Sequence, residues 1–465
     1  MFKLFIGDRL FYKALLTLTV PLVLQQLITT SVQLIDNIMV GRLGESAISS
    51  VAVINQLQFV IILVFFGLMA GSGIFTSQYF GAKDFDKLAQ TFRFKVIAGL
   101  FVAGVAVLIL TVFGRHLVVV FTDTDETVAS ALSYLAIVKW GIFPLVLSIA
   151  ISSTFRETGI TRPLLYISTV AVLINTALNY VLIFGHFGAP QMGIEGAAIA
   201  TVIARGIEFF LMFLFMMRKG QYFTSGIRRL FVIERSVLVG IIAMAIPLTL
   251  NEFMWSLGQT VFLHAYSTRG DSALAAMNMT NAISQLVFVT FAGIGTGVAV
   301  LVGNTLGKNE LALAKQNAYK LAAFSVVVAI LAGIGLFGLS FFILDLYAVS
   351  AATKSVAAFN IRVNAFFIPV FSLNVSLFFI LRSGGDTRST LLMDAVFMWV
   401  FVVPVALLLA YTTALPVTLM FLIVQSSDVP KAFIAISRFK KGHWIKNLAA
   451  TPSDMLADHP PLPST

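Results

Sequence analysis

One acid stands out for its setting. Asp36 lies in an otherwise apolar stretch. A carboxylate inside a membrane-spanning helix costs about 2.5–3.5 kcal/mol on insertion scales, so it usually faces the protein interior and carries function. Gln25, Thr29, Gln33 and Asp36 follow spacings of four, four and three, which makes one polar helical stripe. Asn175 and Asn179 form a second polar pair at i, i+4, and Thr201 follows in the next apolar stretch. The expected running directions of these helices bring all four groups to similar depth. Carboxylate, amide and hydroxyl oxygens suit a hard cation, and a carboxylate also carries a proton, so the two compete. The expected ion-coupling set is therefore Asp36, Asn175, Asn179 and Thr201, as a proton site or as Na⁺ ligands. A structural cluster of interhelical hydrogen bonds is the plainer alternative.

Asp36 and Gln33 are also candidates to touch a cationic substrate. Glu252 and Trp255, one helical turn apart, are the second half's candidates for the same task. Pro21 removes one internal hydrogen bond and permits a bend; a helix that bends when its acid is neutralised would form a gate. Arg205 and Glu208, at i, i+3, are expected to pair. Asp394 is expected near Arg388, and Lys139 and Arg362 are expected to snorkel from their helix ends.

Much chemistry is excluded. With no cysteine there is no disulfide, thiolate metal site or Cys nucleophile, and the five histidines show no metal-ligand spacing. Walker and selectivity-filter motifs are absent. No cofactor is expected beyond H⁺ or Na⁺ as coupling ion, and the chain is not expected to be an enzyme.

The elements that must hold these residues are membrane helices. Of 465 residues, 58% are apolar and only 11% charged, Phe occurs 43 times, and mean hydropathy is +0.95. Soluble domains carry about 25% charge, so lipid is the remaining solvent. Twelve stretches are long enough to span: 14–38, 50–74, 93–114, 132–152, 163–184, 194–217, 236–264, 277–302, 317–344, 357–381, 390–411 and 414–436. The first contains Pro21 and Asp36 and is too long for a cleaved signal peptide. With the N-terminus inside, 24 of the 31 Lys and Arg residues fall at cytoplasmic ends, which places both termini in the cytoplasm. The net charge of +10 is thus a topology signal, and nucleic acid need not be invoked as a partner. The final residues, rich in Pro, Asp and Ser, have the composition of a disordered tail.

The chain repeats itself. At an offset of 226, Pro21-Leu22 falls on Pro247-Leu248, and Gly67, Gly71 and Gly81 fall on Gly293, Gly297 and Gly307. Arg156, Gly159, Thr161 and Arg162 fall on Arg382, Gly385, Thr387 and Arg388 at the same offset, while Asp36 falls on Phe262. The expected fold is all-α and polytopic: twelve transmembrane helices in two six-helix lobes, a plan recurrent in secondary transporters. The expected division is an N-terminal lobe 1–217, a cytoplasmic linker 218–235, a C-terminal lobe 236–440 and a cytoplasmic tail 441–465.

The segments "VPLVLQQLITTSVQLIDNIMVGRLG", "SQYFGAKDFDK", "FRETGITRP" and "LRSGGDTR" resemble multidrug and toxic compound extrusion (MATE) transporters. The resemblance extends to about residue 440. It implies a two-lobed antiporter in a bacterial inner membrane, acting as a monomer, that expels cationic or amphipathic compounds in exchange for Na⁺ or H⁺. Asp36 matches the family's acid in the first span. The first lobe is closer to the DinF-like pattern, with Asn175 and Thr201 matched and Asn179 standing where that branch has an Asp. The NorM-like acids of the second lobe meet Trp255 and Phe371 instead, leaving Glu252 as a displaced substitute. A lipid-linked oligosaccharide flippase of the same superfamily is the alternative; twelve spans and no interior basic cluster count against it.

Overall fold

The computed structural model describes residues 5–122, 124–218, 222–224, 229–347 and 349–450. The tail 451–465, Lys3 and parts of the stretch 218–235 lie outside the described residues. Among the described residues, twelve helices are long and apolar enough to cross a membrane. They are α1 Arg9–Gly41, α2 Glu45–Ala82, α3 Phe85–Val112, α4 Asp125–Glu157, α5 Arg162–Phe184 and α6 Gly193–Arg218. The second six are α7 Arg235–Ser267, α8 Asp271–Gly307, α9 Leu311–Leu339, α10 Ala351–Ser383, α11 Thr387–Thr412 and α12 Val417–Lys441.

All twelve expected spans have their helix. Stretches 93–114, 317–344 and 414–436 each overrun an end, because apolarity continues through Phe113, Phe341 and Leu415 after the helical backbone has stopped or before it starts. Local chemistry sets the ends more sharply than hydropathy does. Ser350 and Asp386 accept hydrogen bonds from the backbone N–H groups of Thr353 and Ser389, capping α10 and α11. Gly185 and Gly442 stop α5 and α12 in the left-handed conformation, at φ of 74° and 70°.

Two compact units form, and each borrows from the other half of the sequence. One takes in the chain up to Val23, Ser77–Asp84 and everything described from Leu250 on; the other takes in Leu24–Thr76 and Phe85–Thr249. The dividing points in α1 and α7 fall two residues after Pro21 and Pro247, which are repeat equivalents. Small residues let the borrowed segments seat closely. A β-carbon added at Gly71 would collide with the backbone of Ala245 in one unit; its equivalent at Gly297 would collide with Thr19 in the other. Ala245 and Thr19 are themselves repeat equivalents.

Each unit has its own core. Leu15, Ile294, Val298, Leu321, Ile361 and Ile380 pack α1, α8, α9 and α10 together in the first. Ile54, Phe65, Val138, Val146 and Ile183 join α2, α4 and α5 in the second. The second also buries an ion pair that the charge count assigns to the cytoplasmic surface. Lys95 of α3 is fully buried, bonds Thr154 Oγ1 at 3.2 Å and pairs with Glu157 of α4.

Candidate functional site

Asp36 lies in the last turns of α1, half-buried, within the unit that holds α4, α5 and α6. Asn179 of α5 donates from Nδ2 to Asp36 Oδ1 at 2.8 Å. Asn175, one turn earlier on the same face, turns its amide nitrogen to the acid and donates to Asp36 Oδ2 at 2.7 Å; such amide orientations follow from the surrounding partners. Both amides are buried, so the i, i+4 spacing on α5 delivers two donors to the two oxygens of one carboxylate. Thr201 of α6 bonds the carbonyl of Ala197 at 2.9 Å and the hydroxyl of Tyr134 of α4. Tyr134 is buried and close enough to Asp36 to feel its charge, so it joins Thr201 to the edge of the site. Among many aromatic residues, nothing in the sequence marks Tyr134 apart from its neighbours.

Arg205 and Glu208 feel each other's charge but make no direct ion-pair contact. Arg205 donates to Gln58 Oε1 at 3.1 Å, and Glu208 accepts from Ser168 Oγ at 2.8 Å, which in turn accepts from Gln25 at 2.8 Å. Partners on other helices win over the i, i+3 neighbour because each satisfies a group that would otherwise be buried without one. Gln25 is thus committed to α5 and Gln33 is exposed, while Thr29 bonds its own helix. The polar stripe of α1 is real, but its members face different neighbours.

α1 runs helical through Pro21, which is buried. Glu252 lies in the other unit, with Oε1 3.9 Å from Arg382 Nη1. Trp255 lines a cavity of about 560 Å³ in that unit. Asp394 turns away from the expected Arg388: it pairs with Lys431 of α12 at 2.5 Å and accepts from Asn251 at 3.1 Å. Arg388 is exposed, whereas Lys431 comes from a facing helix. Arg362, on α10, bonds Ser340 and lies over the ring of Phe341.

Among the described residues, no three His, Cys, Asp or Glu side chains gather as a metal site. Asp36 could serve a hard cation only with amide and hydroxyl oxygens beside it. Both amides present nitrogen to the acid instead. That arrangement stabilises a negative charge on Asp36, while the buried Oδ1 of Asn179 is left without a hydrogen-bond partner.

The sequence model of the MatE family matches twice, over residues 21–181 and 247–408, and the two matches start one repeat length apart. The chain belongs to the MatE family. This membership makes it a membrane transporter rather than an enzyme. Among curated MatE relatives, "Probable multidrug resistance protein NorM" of Bradyrhizobium diazoefficiens is 29% identical over 410 residues, covering 86% of this chain and 87% of its own. "Multidrug resistance protein MdtK" of Edwardsiella ictaluri is 26% identical over 407 residues, covering 86% and 88%. The MatE fold itself is matched by the crystal structure of the Vibrio cholerae MATE transporter VcmN in its bent form. That match has a TM-score of 0.85 at 18% identity, over 95% of this chain and 99% of that one.

Proposed function

We propose that this protein exports organic cations or amphipathic drugs across a bacterial inner membrane in exchange for inward-moving protons. The multidrug resistance names of its relatives support the cargo class. The coupling reading rests on one observation: a lone carboxylate in a spanning helix with both oxygens held by buried amide nitrogens. Protonating Asp36 adds an O–H donor and leaves both of its oxygens weaker acceptors. The two α5 amide bonds then lose their charge-assisted strength, about half of each, and the hold of α5 on α1 is loosened on that side. Pro21 supplies the place to bend, since its missing N–H weakens the helix there. The unit boundary two residues further on fits a hinge.

The first half's likeness to the DinF-like branch fits this scheme, with Asn179 in place of a second acid. Gln33, Glu252 and Trp255 remain proposed substrate contacts. Both termini are cytoplasmic in this scheme, because 24 of 31 basic residues then fall on the inner side. One charge moving through 100 mV supplies about 2.3 kcal/mol, enough for roughly a fifty-fold gradient of a neutral cargo.

The test is dye efflux from proteoliposomes under imposed H⁺ or Na⁺ gradients, with wild type beside Asp36→Asn. Efflux driven by H⁺ alone and lost in the variant is the expected result. Stimulation by Na⁺ without a proton gradient would show that Asn175, Asn179 and Thr201 turn their oxygens inward to ligate the ion. Full transport by Asp36→Asn would remove Asp36 from coupling altogether.

A further inference from the structure

The unit containing α8 to α12 holds a charged cavity that the Asp36 scheme does not use. Its volume is about 560 Å³, within the range of small-molecule sites. Its aromatic walls include Trp255, Phe288 and Phe397, and Asp394, Asp428 and Lys431 line it as well. Asp394 sits where α11 widens into π-helical turns at Leu392–Val396, a rare conformation concentrated at functional sites.

The charges do not cancel. Lys431 pairs directly with Asp394 at 2.5 Å and shares its charge with Asp428, and Glu252 faces Arg382 at 3.9 Å. Asp428 Oδ2 accepts from the neutral amide of Gln425 at 3.0 Å. Three carboxylates against two cations leave one negative charge beside an apolar wall. Such a charge is costly without a counter-charge, and aromatic faces attract cations.

A second, uncharged feature points the same way. Asn364 of α10 is only 4% exposed and lines this cavity. Its nitrogen donates to Ser284 at 2.8 Å, while its Oδ1 has no partner. Asn374, ten residues further along α10, bonds the backbone carbonyl of Asp428 at 3.0 Å. Ten helical residues rise about 15 Å, so the free acceptor and the acids mark the two ends of an elongated site.

We propose that this cavity binds an elongated aromatic monocation carrying an N–H or O–H donor remote from its charge. The charge lies beside Asp428 and Asp394 and the donor meets Asn364 Oδ1. Lys431 acts as a tethered competitor: its ammonium holds Asp394 until cargo enters. The cargo class rests on the export reading, but equilibrium binding tests the site without any ion coupling.

The probes are ethidium, a cationic aromatic with exocyclic amines, and tetraphenylphosphonium, which has the charge but no donor. Binding is measured on the purified full chain in the Asp36→Asn background, so that cation held by the other acid does not enter. Asp428→Asn should weaken both probes about tenfold or more, and Asn364→Leu should weaken ethidium about tenfold while sparing tetraphenylphosphonium. Lys431→Met should tighten both, with Lys431→Gln as the substitute should the Met variant not fold. Unchanged affinity in Asp428→Asn, or equal loss of both probes in Asn364→Leu, would overturn the proposal. So would weaker binding in a folded Lys431 variant. Failure of Asp36 coupling in transport would leave these readings untouched.

Discussion

Asn251 donates to Asp394 at 3.1 Å, and 226 residues earlier Gln25 donates to Ser168 at 2.8 Å. These are the same bond in the two copies of the repeat, joining the helix with the proline to the fifth helix of its half. The copies have kept the geometry and moved the charge. The first half holds its acid at Asp36 on α1, where the second has Phe262; the second holds Asp394 on α11, where the first has Ser168. Arg205 and Lys431 are equivalent as well, yet one reaches a glutamine amide and the other a carboxylate.

The divergence at Asn179 gives a direct prediction. Asn179→Asp puts a second carboxylate beside Asp36 and replaces an amide donor with acceptor oxygens. Two acids at hydrogen-bonding distance repel unless a cation joins them. Export by Asn179→Asp should therefore become Na⁺-stimulated, whereas the wild type responds to H⁺ alone. Efflux from proteoliposomes at fixed pH, with and without a Na⁺ gradient, reads the difference. No Na⁺ response in the variant would mean that the surrounding oxygens cannot complete an ion site.

Lys95 and Glu157 make a buried pair whose removal should be asymmetric. Glu157→Gln strips the fully buried Lys95 of its counter-charge and should cost about 3–5 kcal/mol, and Lys95→Met should cost less because Glu157 is 15% exposed and also feels Arg156. The double variant Lys95→Met/Glu157→Met should recover most of the loss. Melting temperatures of the purified variants in one detergent test this. A double variant no better than Glu157→Gln alone would show that the pair is not an isolated charge problem.

Hydropathy reveals the spans because lipid leaves only helices possible for a chain this apolar, and matched Pro and Gly residues reveal the repeat. The meeting of Asp36 with Asn175 and Asn179 is legible too, since both stripes are local patterns. What stays hidden depends on contacts between distant helices. A basic residue near a span's end reads as topology whether it faces water, as Arg388 does, or is paired internally, as Lys95 and Lys431 are. Tyr134 carries no pattern, and although Asn360 and Asn364 repeat the i, i+4 amide spacing on α10, no carboxylate in the sequence marks what that pair faces.

The repeat glycines should be intolerant in matched pairs. Gly71→Val and Gly297→Val both force a side chain into a borrowed segment, against Ala245 and Thr19. Each should destabilise by about 1–3 kcal/mol or more. Gly104→Ala, where a β-carbon meets nothing within 4 Å, should be neutral or slightly stabilising through better helix propensity. Thermal unfolding of the three variants provides the comparison; loss of stability in Gly104→Ala would show that helix glycines matter here for some reason other than close packing.

Pro21 separates stability from function. In an ordinary helix interior, replacing proline with alanine stabilises by up to about 3 kcal/mol, because the missing hydrogen bond is restored and the ring clash removed. Pro21→Ala should therefore raise the melting temperature. If α1 must bend for Asp36 to release its α5 partners, the same variant should export more slowly, by about tenfold for each 1.4 kcal/mol added to the bending barrier. Pro247→Ala should show the same gain in stability with a smaller loss of export, since α7 carries Phe262 where α1 carries the acid. A static packing kink predicts a different pattern: both variants would change stability, and export would follow stability alone. Measuring efflux rate and melting temperature on both variants decides between hinge and kink, because only a hinge makes the more stable protein the slower one.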